Sequence, residues 1–166
     1  MRFVDFLKAT VLLCAGAATL LGALTIVGGS RTGEQGTTLI AIWWWVLAAL
    51  IGARIGRHHA ASPPIARLLA DARMQTTLPE PRPGLTLVNR LWPLLVVTIV
   101  AAALSFFLPQ VAGVAAGFAI IWALAWRRQD AAVTAIEERD GFRFYVDRTG
   151  IFAPIRLIRT RGLATG

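Results

Sequence analysis

Residues 91–126 carry no charged side chain, and two shorter runs of the same kind, 9–29 and 37–53, precede them. The surface of a water-soluble domain does not accommodate such runs. A bilayer core of ~30 Å accepts about 20 apolar residues as a helix and excludes charge. The sequence therefore predicts an integral membrane protein. Composition agrees: 56% of the 166 residues are hydrophobic and 16% are charged, against about 25% charged in ordinary soluble domains. A soluble chain of this size could not bury the apolar excess, because small domains leave much of their surface exposed.

As one helix, residues 91–126 would extend roughly 54 Å, well beyond the bilayer core. Pro109-Gln110 stands at their middle. Proline fixes φ and removes a donor, so the chain is expected to turn there. The fold class is then an all-α membrane protein with four transmembrane helices in two hairpins, at about 9–29, 37–56, 91–108 and 111–126. A re-entrant hairpin that stops short of the far face is the alternative for the last two. Val11-Leu12-Leu13-Cys14 resembles a lipoprotein cleavage box, but Leu13 is large and the apolar run continues past it. Residues 1–29 are therefore read as a retained span.

The basic residues set the orientation. Arg31 stands alone between the first two spans, and the Pro109 turn has none. Arg2 and Lys8, the arginines of loop 57–90 with its flanks, and those from Arg127 onward all fall on the other side. By the positive-inside rule both termini and the central loop are cytoplasmic. The expected location is a bacterial inner (plasma) membrane. The domains are then 1–129, transmembrane with cytoplasmic loop 57–90, and 130–166, a cytoplasmic tail. The net charge of +8 is assigned to orientation and to anionic head groups rather than to nucleic acid, since no base-stacking platform accompanies it.

Small residues recur at four-residue spacing: Cys14, Ala18 and Gly22, then Ala48, Gly52 and Gly56, then Gly113 and Gly117, with Ala101 and Ser105 as a weaker pair. Membrane helices approach through such stripes, here within the bundle in preference to a dimer face. In Trp43-Trp44-Trp45 the side chains point ~100° apart. At least one must meet lipid or another protein, and all three are candidate contacts. Apart from Arg54 at the cytoplasmic end of the second, no ionisable residue lies inside a span, which disfavours an ion-coupled transporter built on this chain alone.

In the loop, Ser62-Pro63 reads as an N-cap with proline at the first helical position. Ile65, Leu68, Leu69 and Ala72 give one apolar face. This predicts a short amphipathic helix, lying on the membrane or packed on the tail. Pro79, Pro81, Pro83 and Gly84 predict an extended return to the third span. The tail should continue the fourth span to about Ile136, with Glu137 and Glu138 solvated, and turn at Asp140-Gly141. A strand-like stretch from Phe142 follows. Too short for a core of its own, the small, partly extended tail should dock on lipid, on the central loop or, preferentially, on a protein partner. Phe142, Phe144, Tyr145, Phe152, Arg156, Arg159 and Arg161 are its candidate contacts.

No catalytic constellation is present: no P-loop, dinucleotide-binding glycine pattern, nucleophile elbow or His-Glu-x-x-His. His58 and His59 have no cysteine and few carboxylates near them, so neither metal nor cofactor is expected. The expected function is a non-catalytic accessory or scaffold subunit of a larger membrane complex, partnered by membrane lipids and other integral subunits. A homo-oligomeric channel or transporter is the alternative, and an anionic-lipid-binding protein a further one.

Overall fold

The computed structural model describes residues 1–33, 35–57, 60–74, 83–147 and 155–161. In chain order the elements are α1 (Phe3–Thr32), α2 (Gln35–Ile55), α3 (Pro63–Ala70), β1 (Arg73–Met74), α4 (Pro83–Leu104), α5 (Pro109–Trp126), α6 (Gln129–Asp140), β2 (Phe142–Val146) and β3 (Leu157–Arg161). Among the described residues four helical stretches are long and apolar enough to cross a membrane: α1, α2, α4, and α5 run on into α6.

Helix boundaries extend beyond the uncharged runs, because a helix tolerates charge where a bilayer core does not. α1 already includes Asp5 and Lys8, and α4 includes Arg90. The third helix is displaced from the expected 91–108. Pro83 opens α4 at a first-turn position, where the missing N–H is not needed, and so does not belong to an extended return. Pro79 and Pro81 lie outside the described residues. After Leu104 the chain leaves the helix, with the Phe107 and Leu108 amides both donating to the Leu104 carbonyl at 3.0 and 2.8 Å. Pro109 then starts α5 at N1.

The chain forms two compact units. One comprises Met1–Ala9, His58–Trp92 and Arg128–Gly166, the other Thr10–Arg57 and Pro93–Arg127. The first unit is discontinuous in sequence: the start of the chain, the central loop and the tail fold together.

In the Thr10–Arg57 and Pro93–Arg127 unit, α2 packs along α5. Leu21, Ala101, Ala112 and Ala116 form a buried cluster, with Leu24, Trp45 and Val111 against it. Thr25 is fully buried, and its hydroxyl donates to the Leu21 carbonyl at 2.8 Å. A polar group is thereby satisfied on its own helix, as lipid surroundings require.

The other unit is built on a three-stranded sheet of order β1-β3-β2. β2 runs antiparallel to β3, and β1, from the central loop, runs parallel to it with Arg73 beside Ile158. Phe144, Val146, Leu157 and Ile158 are buried, as are Phe3, Leu7, Ile65, Leu69 and Val133 from the other segments. The apolar face of α3 is thus covered by protein. Ser62 precedes Pro63 as expected, but its side chain makes no cap bond; its amide donates to Gln129 Oε1 at 2.8 Å.

Candidate interaction surfaces

The α2–α5 seam is narrow because its glycines leave no room for a side chain. A Cβ at Gly52 would stand 2.9 Å from Leu124 Cβ and 3.0 Å from the Ile121 backbone, and one at Gly56 would meet the Leu124 carbonyl. Gly113 faces Thr25 and Ala41, and Gly117 faces the Trp44 indole. Ala48 is fully buried. On α1, Cys14 is buried and Ala18 half-buried, and the Gly22 position faces Trp45 at 3.6 Å.

Two of the three tryptophans are half-buried and hydrogen-bond to the α5 backbone. Trp45 Nε1 donates to the Gly113 carbonyl at 2.8 Å, and Trp44 Nε1 donates to that of Val114 at 3.2 Å. Trp44 also stands edge-on to Phe118 at 5.6 Å. An indole N–H facing lipid would have no acceptor, and the glycine-lined backbone of α5 supplies one. Trp43, 74% exposed, is the one that points outward. Trp45→Leu is expected to lower stability by about 2 kcal/mol through lost packing and a lost hydrogen bond. Trp43→Leu should stay within about 0.5 kcal/mol. Thermal midpoints of the two variants in one detergent check the contrast.

In the sheet-containing unit, one stripe of α6 joins all three segments. Gln129, Val133 and Glu137 recur at four-residue spacing, and all are buried. Gln129 holds Ser62 of the central loop. Glu137 Oε2 accepts from Arg2 Nη2 at 2.8 Å, and its Oε1 accepts from the Phe144 amide at 2.8 Å. The expectation of a solvated Glu137 is corrected by these bonds. Gly141 makes the second one reachable: its φ of +69°, cheap only for glycine, ends α6, with its amide on the Glu137 carbonyl, and β2 starts at the next residue. Hydrogen bonding to Glu137 raises the Arg2 pKa further above its already high ordinary value, so the guanidinium stays charged at any physiological pH.

The second edge of β2 is closed by the start of the chain. Arg2 bridges Tyr145, and the Val146 amide donates to the Met1 carbonyl at 3.1 Å. An open strand edge invites pairing with foreign chains, and here Glu137, Met1 and Arg2 occupy it. Phe144 is therefore core rather than a partner anchor, and Tyr145 is half-buried on the occupied edge. The described strands of the tail pair with the chain's own β1 and N-terminal residues. Phe142 is half-buried beneath the Arg159 guanidinium, 5.6 Å from the ring centroid. Arg156 and Arg161 are exposed. Phe152 lies outside the described residues, as do His58 and His59. Among the described residues no three His, Cys, Asp or Glu side chains gather as metal ligands.

No known protein family, curated protein or solved structure is significantly similar to this chain.

Proposed function

We propose that the chain is a non-catalytic scaffold or accessory subunit of a larger membrane complex. It crosses a bacterial plasma membrane four times as two helical hairpins, with both termini and the central loop in the cytoplasm. The same-side reading is supported by hydrogen bonding: Met1 and Arg2, Ser62, and β1 to β3 are tied together in one unit. Segments that share a sheet lie on one side of a bilayer. The positive-inside rule then assigns that side to the cytoplasm.

The observation that carries the scaffold reading is α4. Only 6% of its most apolar stretch is buried by the rest of the chain, against 17–39% for the other three spans. Val96, Val97, Ile99, Val100 and Leu104 are all exposed. A helix so sparsely covered by its own chain offers a long face to the helices of other subunits, which in lipid pack by shape. Purification of the tagged chain from its native membranes in a mild detergent tests this. A stoichiometric assembly much larger than the 17.9 kDa chain is expected. A homogeneous particle of one chain would overturn the proposal, and a closed ring of identical chains would favour a channel or transporter.

A further inference from the structure

The exposed end of the β2–β3 pair concentrates arginine. Phe142 is opposite Arg161, Arg143 opposite Thr160 and Phe144 opposite Arg159. Directly opposed residues share a sheet face. Arg159 and Arg161 therefore lie on the face of Phe142, with Arg143 on the other. Three arginines thus occupy three consecutive rungs, and neither strand contains an acid. The nearest acid before β2, Asp140, is already bonded by Arg139 at 2.7 Å. Among the described residues Arg143, Arg159 and Arg161 form no ion pair. The opposite end of the pair, Val146 and Leu157, is buried. Charge and exposure thus coincide at one end.

We propose that this end binds the phosphodiester head groups of anionic phospholipid in the membrane that the chain spans. The Arg159 guanidinium lies over the Phe142 ring, 5.6 Å from its centroid; its Nε is buried, so its terminal N–H groups are the ones offered to oxyanions. Arginine matches a phosphate through paired N–H donors, where a lysine would offer a point charge. The ligand is also close at hand along the chain. Only residues 127–141 separate α5 from β2, and Arg2, bridged to Tyr145, immediately precedes α1. Tethering of this kind keeps head groups at high effective concentration. A single-stranded nucleic acid would require a row of stacking aromatics along a basic groove; of the two rings here Phe144 is buried and Phe142 lies beneath Arg159.

The test uses the full-length chain in mild detergent. It is titrated with phosphatidylglycerol and separately with phosphatidylcholine, and bound lipids are counted by native mass spectrometry. Phosphatidylglycerol is expected to bind at least about tenfold more tightly, with the preference shrinking as salt rises. Arg143→Gln together with Arg161→Gln removes two exposed side chains and should weaken phosphatidylglycerol about 25-fold, or about fivefold per arginine. Arg159→Gln added to the pair should weaken it further. If the double variant has a lowered thermal midpoint, Arg143→Gln alone carries the test, with about a fivefold loss expected. Unchanged phosphatidylglycerol affinity in these variants would overturn the assignment. So would a single-stranded RNA that binds the wild-type chain more tightly than phosphatidylglycerol and is released by the same substitutions.

Discussion

Gly56→Val should prise α2 from α5 and cost about 3 kcal/mol or more. At this position a Cβ meets the Leu124 carbonyl, which belongs to the backbone and cannot rotate away. Relief requires moving a helix, and overpacking of rigid surroundings is correspondingly expensive. The damage should spread along the seam. Gly52 and Gly117 occupy the same contact, and the Trp44 and Trp45 hydrogen bonds depend on α5 staying within reach. Gly16, with nothing within 4 Å of an added Cβ, is the internal control. Gly16→Val keeps an open position open and should fall within about 1 kcal/mol of wild type. Unfolding both variants by graded addition of a denaturing detergent to mixed micelles measures the difference. Equal stability of the two would remove the seam as the organising contact of this unit.

Glu137→Ala should be the most damaging change in the sheet-containing unit, at about 2–4 kcal/mol. It strips the Phe144 amide of its acceptor in a buried setting and leaves Arg2 without its counter-charge. Hydrogen bonds to charged groups contribute about 1.5–3 kcal/mol each. The Arg2 side chain is 39% exposed, so water compensates part of that loss and the lower half of the range applies to it. Glu137→Gln keeps the shape and one carbonyl oxygen for the Phe144 amide, and should recover about half of the loss. Hydrogen exchange locates the effect. In Glu137→Ala, amides of β2 should exchange faster than in wild type, while those of α5 stay unchanged. Loss of protection confined to α6 would show that Glu137 does not hold the sheet.

The membrane helices were legible because a bilayer excludes charge so strongly that uncharged length alone marks them. Their ends were not, because Asp5, Lys8 and Arg90 extend helices beyond the region where that exclusion acts. The small-residue stripes were visible as four-residue spacings. That Gly52 and Gly56 meet α5 depends on which helices neighbour each other, and no spacing encodes this. The tryptophan cluster announced one outward ring by geometry, but the acceptors on Gly113 and Val114 that draw the other two inward were not readable.

The tail shows the largest gap between sequence and structure. Taken alone it is too short for a core, and its core is shared with Phe3, Ile65 and Leu69 from distant segments. Glu137 next to Glu138 looks like a solvated pair, and its partner Arg2 is 135 positions away. One signal was present. Gln129, Val133 and Glu137 lie on one helix face, and two polar residues flanking a valine at that spacing mark a buried face that must find donors.

The four-span topology proposed for the chain rests on its N-terminus, central loop and tail sharing the cytoplasmic side, and single-cysteine labelling with a membrane-impermeant maleimide tests this most directly. In a Cys14→Ala background, Arg31→Cys and Phe107→Cys should be labelled in intact cells. Lys8→Cys, Arg73→Cys and Arg161→Cys should be labelled only after permeabilisation. Labelling of Arg161→Cys in intact cells, with Lys8→Cys still protected, would place the tail across the membrane from the N-terminus and contradict the shared unit.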